Sequence, residues 1–263
     1  MNLPSYYLSF AQQMGIDVAD IVRLDKFKFI NKDFPLASIL IHESPFNKIR
    51  IGRDGDGGYV IAEGLTYDCL ISGGVNDDDS FEQDFLSLND VPAYAFDGSI
   101  ERMPTEDRRI KFYSKNISDK NSQKEDNLSD LLEGYDDIFL KMDIEGDEYI
   151  WLNSLNDDQL SKFKQIAIEF HEPYERYKWR CLERLSLSHW AIHFNPNNCG
   201  SVCYHVNDGV STRVAECFEI TYIRKAGIKG EPKLNKSTFP TKLDKPNDPN
   251  RRVINYKGFP YSI

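Results

Sequence analysis

Seven short apolar runs recur along the chain, and most are separated by stretches in which apolar residues follow a helical spacing. The runs are Cys69–Ser72, Ala93–Phe96, Ile110–Tyr113, Ile138–Met142, Gln165–His171, Trp190–Phe194 and Cys217–Ile223. The stretches with helical spacing are Ser80–Leu88, Asn127–Leu132, Glu148–Leu155 and Tyr174–Leu187. Strands that alternate with helices predict a doubly wound α/β fold of the Rossmann-like kind, with a seven-stranded, mostly parallel sheet.

The two ends of the chain depart from this alternation. Apolar spacing in residues 1–45 predicts a helical N-terminal extension. The seventh run follows the sixth without a strong helical segment, which indicates an antiparallel final pair of strands. Residues 226–263 are rich in Pro, Lys and Asn, which predicts an extended C-terminal tail. We therefore expect one domain over residues 1–263, with its core in residues 51–225.

Composition is typical of a globular protein and excludes several classes of partner. Hydrophobic residues make up 40% of the 263 positions and aromatic residues 13%, more than disordered chains carry. The formal net charge of -10 gives no general attraction for phosphate backbones, so we expect no nucleic-acid partner. No apolar stretch reaches the ~20 residues that span a bilayer, and the N-terminus lacks the pattern of a signal peptide. Five cysteines without a CxxC pair indicate reduced thiols, and we expect a cytoplasmic protein.

The first apolar run ends in two glycines, Gly73 and Gly74, and the second ends at Asp97. In doubly wound sheets, ligands bind beyond the carboxyl ends of the strands, where glycine allows a sharp turn and a close approach. An acidic residue at the end of the second strand can accept hydrogen bonds from a ribose. Together these features indicate a nucleoside-containing cofactor. For the glycines alone, a tight turn with solvated acids is the simpler interpretation.

The residues that follow the glycines argue against a dinucleotide. A dinucleotide site prefers G-x-G-x-x-G, and the segment Gly73–Asp79 lacks the third glycine. The three aspartates Asp77, Asp78 and Asp79 would also repel a pyrophosphate. A nucleoside that carries a sulfonium cation meets no such repulsion. A nicotinamide-dependent oxidoreductase is therefore the disfavoured alternative.

Several segments resemble the FkbM-like family of S-adenosylmethionine-dependent methyltransferases. The strongest is Leu140–Glu148, which is similar to the family pattern K-x-D-x-E-G-x-E. Gly73–Glu82, Asn127–Leu132 and Gly52–Tyr59 are similar to further family elements, and the resemblance covers roughly Ile51 to Lys225. It implies the class I methyltransferase fold and O-methylation of a small molecule such as a sugar or a polyketide. A catalytically degenerate methyltransferase fold that serves as a binding module is the alternative without chemistry.

The residues expected to bind S-adenosylmethionine are Tyr59, Gly73, Gly74, Asp97, Asn116 and Ile117. The two glycines are expected against the methionine part of the cofactor and Asp97 against its ribose hydroxyls. Asn116 or Ile117 is expected beside the adenine. Tyr59 is expected in a lid that touches the carboxyl end of the methionine, and a simple hairpin turn is the alternative for this glycine-rich segment.

Methyl transfer requires an acceptor oxygen held near the methyl group and a means of removing its proton. Asp143 follows the fourth run, Glu169 and His171 end the fifth, and His193 lies in the sixth. We expect Asp143, His171 and His193 to face the acceptor, with a histidine as general base. Asp143 and Glu169 are also candidate ligands of Mg²⁺ or Mn²⁺, which would lower the pKa of a bound hydroxyl. A structural role is the alternative for each histidine.

The sequence thus predicts an S-adenosylmethionine-dependent O-methyltransferase that acts on a sugar, a glycan or a related small polar metabolite. It leaves the identity of the acceptor, the dependence on a metal and the oligomeric state open.

Overall fold

The computed structural model describes residues 28–263. The strands are β1 (Lys28–Ile30), β2 (Lys48–Ile51), β3 (Tyr59–Ala62), β4 (Cys69–Gly73), β5 (Ala93–Phe96), β6 (Ile110–Tyr113), β7 (Asn116–Ile117), β8 (Glu125–Asp126), β9 (Ile138–Met142), β10 (Phe163–His171), β11 (His189–Pro196), β12 (Val202–Asn207), β13 (Val210–Ala215) and β14 (Cys217–Arg224). The helices are α1 (Ser80–Leu88), α2 (Ser129–Gly134), α3 (Glu148–Ser154), α4 (Asp157–Leu160) and α5 (Arg176–Ser188), with a short 3-10 helix at Leu36–Ile39.

The main sheet has seven strands in the order β11-β14-β10-β9-β4-β5-β6. Strand β4 pairs in parallel with β5 on one side and with β9 on the other. Strand β14 lies antiparallel between β10 and β11. The prediction of a doubly wound, mostly parallel sheet with an antiparallel final strand is confirmed. The strand order reverses between β4 and β9, which is where open α/β sheets bind their ligands.

The central strands are apolar throughout because both faces of the sheet are covered. All residues of β4 and β9 are buried. Alternate residues of β9 join different hydrophobic clusters: Phe139 packs with Phe81 and Phe85 of α1, whereas Leu140 shares a cluster with Trp151 of α3. The sheet therefore has one layer of helices on each face, and α1 begins directly after the turn that follows β4.

A hairpin of β2 and β3 also lies over the sheet. The glycine-rich segment Gly52–Tyr59 connects its strands, so the hairpin turn given above as the alternative for this segment is observed. The hydroxyl of Thr221 on β14 donates to the carbonyl of Val60 at 2.5 Å. The amide of Ala62 donates to the side chain of Gln165 on β10 at 3.1 Å. These contacts place the β2–β3 loop above the carboxyl ends of the central strands.

The predicted helical extension over residues 1–45 falls partly outside the described residues, since residues 1–27 are not among them. For residues 28–45 the prediction is wrong. This part contains β1, which pairs in parallel with β12, and the 3-10 helix. Ile30, Phe34 and Ile41 are all buried. The apolar spacing therefore indicated correctly that these residues are buried, but the helix that it predicted is not observed. Pairing with the distant strand β12 outweighs the local pattern.

The C-terminal tail, residues 226–263, contains no helix or extended strand. Three of its four aromatic residues nevertheless belong to the core: Phe239, Tyr256 and Tyr261 are buried and pack against Phe194 of β11, whereas Phe259 is exposed. These three contacts anchor the tail to the main sheet. Within residues 28–263, no helix combines the length and the apolar character needed to cross a bilayer.

Candidate functional site

A cavity of about 530 Å³ opens at the carboxyl ends of β4, β5 and β9, at the point where the strand order reverses. This volume is within the usual range for small-molecule sites, roughly 300–1,000 Å³. Five of the residues predicted from the sequence line it, namely Gly74, Asp97, Asn116, Ile117 and Asp143. We call it the switch-point cavity. Residues that follow different parallel strands were expected to meet at one edge of the sheet, and the cavity does bring together residues up to 69 positions apart in the chain, from Gly74 to Asp143.

Contacts within the protein require glycine at positions 73 and 74, in the turn that follows β4. Gly74 has a φ of +78°, and a Cβ added there would lie 1.7 Å from the carbonyl oxygen of Asp143. A Cβ on Gly73 would lie 2.6 Å from Cδ1 of Ile117. The amide of Asp143 also donates to the carbonyl of Gly73 at 2.9 Å. The two glycines thus let the ends of β4 and β9 approach each other, and only Gly74 lines the cavity.

Asp97 holds this turn in place. Its Oδ2 accepts hydrogen bonds from the amides of Val75 (2.9 Å) and Asn76 (2.8 Å), and its Oδ1 accepts from the amide (2.7 Å) and the hydroxyl (2.6 Å) of Ser99. Burial raises the pKa of Asp97, but these bonds outweigh it and hold the pKa below its ordinary value. A carboxylate has about four acceptor sites, so a ribose hydroxyl can bind Asp97 by replacing the Ser99 hydroxyl.

The loop between β2 and β3 closes one side of the cavity with Arg53, Asp56 and Gly57. The Arg53 guanidinium lies 3.4 Å from the carboxylate of Asp78 and 3.7 Å from that of Asp77. Sequence reasoning gave Arg53 no role, although it lies within the glycine-rich segment of the resemblance. The sequence feature that could have indicated a role for Arg53 is that it is the one basic residue in a run of glycines and aspartates.

The cavity lining is strongly acidic. Among residues 28–263, it contains two basic residues, Arg53 and Lys141. Its acidic residues number seven: Asp56, Asp77, Asp78, Asp97, Asp143, Glu145 and Asp147. The ammonium group of Lys141 donates to the carbonyl of Gly74 below the turn. The walls therefore favour a ligand with positive charge over one with phosphate groups.

Tyr59 lies beside the cavity rather than in its wall. Only 2% of the residue is exposed, and its hydroxyl donates to Oδ2 of Asp143 at 3.1 Å. Burial and the Asp143 carboxylate raise the pKa of Tyr59 well above its ordinary value, so the hydroxyl stays protonated. Tyr59 can therefore orient Asp143, whereas the predicted contact with the methionine carboxyl group would require it to leave this position.

Four carboxylates surround the His171 ring at the end of β10. Its Nδ1 is 3.2 Å from Oε1 of Glu148. Its Nε2 is 3.3 Å from Glu169, 3.6 Å from Glu145 and 3.9 Å from Asp143. We call these five residues the His171 cluster. It adjoins the switch-point cavity through Asp143 and Glu145, which belong to both.

The carboxylates decide the charge states in the His171 cluster. Burial lowers the pKa of His171, but the bonds to Glu148 and Glu169 outweigh it and raise the pKa to about 11. Burial and the charge of Glu169 raise the pKa of Asp143 to about 7. In this arrangement the imidazole is the counter-cation of the cluster. His171 thus lacks the free lone pair that the predicted general base needs, and Asp143 is the group poised near neutral pH.

His193 is not part of this cluster. It is 2% exposed, and both ring nitrogens are occupied: Nε2 lies 2.7 Å from Oδ1 of Asp244, and Nδ1 lies 3.1 Å from the ammonium of Lys48. The register explains the placement, because His193 pairs with Thr221, which pairs with Ala167, well before the end of β10. The ring has no nitrogen free to face an acceptor, and instead it ties the C-terminal tail to β11.

No family model and no curated protein match the chain. One solved structure that it resembles is described as "Putative hemolysin from Streptococcus thermophilus", with 13% sequence identity and a TM-score of 0.34. The match covers 68% of this chain and 65% of that one, so the chain matches less than two thirds of that structure's length. A likeness this weak carries no argument about function.

Proposed function

We propose that the switch-point cavity binds S-adenosylmethionine and that the protein transfers the methyl group to a hydroxyl of a sugar or another small polar molecule. The observation that carries this proposal is the acidic cavity at the point where the strand order reverses. Its position suits a nucleoside, and its charge suits a sulfonium cation and opposes a pyrophosphate. The seven-stranded sheet agrees with the fold that the FkbM-like resemblance implies.

The lining offers a partner for each part of the cofactor. The ribose hydroxyls fit at Asp97 through exchange with the Ser99 hydroxyl. Asn116 and Ile117 border the same end of the cavity and suit the adenine. The methionine carboxylate needs a cation, and Arg53 is the exposed basic side chain of the lining. We therefore assign to Arg53 the contact that the sequence analysis gave to Tyr59.

Asp143 is positioned to bind the acceptor hydroxyl and to take up its proton. It lies in the wall next to Gly74, the side expected for the methionine part of the cofactor. Its Oδ1 is buried and has no hydrogen-bond partner in the part of the chain described. A hydroxyl donor would satisfy this oxygen, and a carboxyl group with a pKa of about 7 can take up a proton as the methyl group leaves. The acceptor's oxygen then attacks the methyl carbon in line with the departing thioether.

Calorimetry with S-adenosylmethionine and with NAD tests the cofactor assignment. We expect S-adenosylmethionine to bind and NAD not to. Arg53→Gln should weaken S-adenosylmethionine binding about tenfold, corresponding to ~1.4 kcal/mol for one partly exposed ion pair. Arg102→Gln, which removes an exposed arginine outside the cavity lining, is the matched control and should bind normally.

Two outcomes would contradict the proposal in different ways. Binding of NAD without S-adenosylmethionine would indicate a nicotinamide-dependent oxidoreductase. Binding of S-adenosylmethionine with no methyl transfer to any member of a broad panel of sugars and other hydroxylated metabolites would indicate a degenerate binding module. In the active case, Asp143→Asn should lower turnover by 10²-fold or more, a common size for the loss of a general base.

A further inference from the structure

The distances around Nε2 of His171 are long for hydrogen bonds of an imidazolium. Charge-assisted N–H···O bonds measure about 2.7–2.9 Å, whereas the carboxylate oxygens of Glu169, Glu145 and Asp143 lie 3.3, 3.6 and 3.9 Å away. Ligand atoms at about 2.1 Å from an octahedral cation are separated by about 3 Å from their neighbours. These distances from Nε2 are therefore closer to the spacing between ligands of one ion than to the lengths of charge-assisted hydrogen bonds.

Glu148 orients the His171 ring for such a role. Its Oε1 faces Nδ1 at 3.2 Å and also accepts from the amides of Ile144 and Gly146, each at 3.1 Å. Glu148 is fully buried, so this carboxylate is fixed. A histidine that binds a metal through one nitrogen commonly donates its other N–H to such a carboxylate. A bound ion would replace one of the two ring protons that His171 otherwise carries; with the remaining proton on Nδ1, the lone pair of Nε2 would face Asp143 and Glu145.

A second, independent observation concerns an unpaired buried oxygen. Oδ1 of Asp143 is buried and has no hydrogen-bond partner within residues 28–263. Leaving a buried charged oxygen without a partner is energetically costly. This oxygen is the one that faces Nε2 of His171, at 3.9 Å, so an ion bound between the two side chains would satisfy it.

We propose that Asp143, Glu145 and His171 bind one divalent cation of the Mg²⁺ and Mn²⁺ class, since one ligand atom of each lies within 4.8 Å of the others. Two carboxylates and one imidazole, completed by water, form a mostly oxygen ligand set, which suits these ions. Glu169 and Cys217 form a second set with His171. The Cys217 thiol donates to Oε1 of Glu169 at 2.5 Å, so these two side chains bond to each other and are not assigned to the ion.

The role of this ion in catalysis rests on the proposed function, but its binding does not. If the protein methylates a hydroxyl, the ion would bind the acceptor oxygen and lower its pKa. Asp143 would then contribute as a ligand of the ion instead of as the general base, and Asp143→Asn would still be expected to lower turnover. Binding of the ion can be measured without any acceptor, so a failure of either proposal can be recognised separately.

Titration with Mn²⁺ after exhaustive chelation tests the site. Electron paramagnetic resonance of free Mn²⁺ should show one bound ion per chain, and Mg²⁺ should compete for it. Glu145→Gln should weaken Mn²⁺ binding by tenfold or more; the side chain is 87% exposed, so this variant should fold. Asp143→Asn, which removes a proposed ligand carboxylate, should abolish binding. Asp147→Asn, a change of an exposed neighbour, and Cys217→Ser, which keeps a donor for Glu169, are the controls and should bind Mn²⁺ normally.

Three results would overturn this proposal: no Mn²⁺ binding by the wild-type protein at millimolar concentration, binding that Glu145→Gln and Asp143→Asn leave unchanged, or tight binding of Zn²⁺ alone that is lost in Cys217→Ser. S-adenosylmethionine affinity measured on the same preparations separates this proposal from the cofactor assignment. Mn²⁺ binding without S-adenosylmethionine binding would retain the ion site and refute the proposed methyl donor.

Discussion

Replacing Gly74 with alanine tests whether the turn after β4 is shaped by the protein itself or by its ligand. The backbone of Gly74 is left-handed, with φ at +78°, and the new Cβ would lie 1.7 Å from the carbonyl oxygen of Asp143. Real Cβ atoms essentially never approach other atoms closer than 3.0 Å. Because interiors are close-packed, the end of β9 would have to move by about 1.3 Å to admit the methyl group.

Two costs add up for this substitution. A left-handed conformation costs an L-residue roughly 1–2 kcal/mol. Forcing an extra carbon into a packed region costs typically ~1–3 kcal/mol more. We therefore expect Gly74→Ala to lower the free energy of unfolding by about 4 kcal/mol. Gly64 is the matched control, since its φ is +82° and a Cβ there would meet nothing within 4 Å. Gly64→Ala should cost only the conformational part, about 1 kcal/mol.

Urea unfolding followed by circular dichroism measures both values, and thermal unfolding should show the same order. At about 2–4 °C per kcal/mol for a chain of this size, Gly74→Ala should lower the Tm by roughly 10 °C and Gly64→Ala by about 3 °C. Equal stability of the two variants would refute the packing argument. If Gly74→Ala were as stable as its control but failed to bind S-adenosylmethionine, the glycine would instead be required for approach of the ligand.

Three further predictions concern single side chains. Asp97→Asn should lower the free energy of unfolding by about 2 kcal/mol and weaken S-adenosylmethionine binding, because an amide cannot accept all four bonds at this position; normal stability by thermal unfolding would contradict this. Burial lowers the pKa of His189 to about 4. Between pH 6.5 and 4 the unfolded state therefore binds a proton that the folded state does not, so the free energy of unfolding should fall by about 3 kcal/mol as the pH drops through this range. His189→Gln, which keeps a donor for the carbonyl of Phe163, should remove that part of the slope in urea titrations at each pH, and an unchanged slope would show that other groups cause it. His193→Gln should lower the Tm through loss of the bond to Asp244, worth about 1–2 kcal/mol, and leave S-adenosylmethionine affinity unchanged. Weaker S-adenosylmethionine binding by calorimetry would instead indicate that His193 contributes to the cofactor site.

The central sheet could be predicted from the sequence because its strands are apolar on both faces. The predicted bounds of Ala93–Phe96, Ile138–Met142 and the helix Ser80–Leu88 coincide with the observed ones. The hairpin turn between β2 and β3 was only an alternative in the sequence analysis, and strand β2 was not predicted, because Lys48–Ile51 alternates basic and apolar residues as a surface segment does. Strand β1 was missed because its partner β12 lies far away in the sequence. Local pattern does not reveal such pairing.

Part of the site could be predicted, because the topology of a parallel sheet determines where its strands end. Parallel strands end at one edge of the sheet, so Asp97 and Asp143, which follow β5 and β9, had to come close together. The same reasoning failed for His193, because it lies within β11 and its partner Asp244 comes from the tail, where no periodic pattern exists. Glu148 is buried and orients His171. Local sequence pattern could not show this contact, because it depends on how α3 packs beside β10.

A crystal structure with S-adenosylhomocysteine, the demethylated product of the proposed cofactor, tests the central claim most directly. We predict that it occupies the switch-point cavity, with its ribose on Asp97, its adenine beside Asn116 and Ile117, and its carboxylate on Arg53. The sulfur should face Asp143. An empty cavity at saturating S-adenosylhomocysteine, or the ligand bound elsewhere on the protein, would contradict the account.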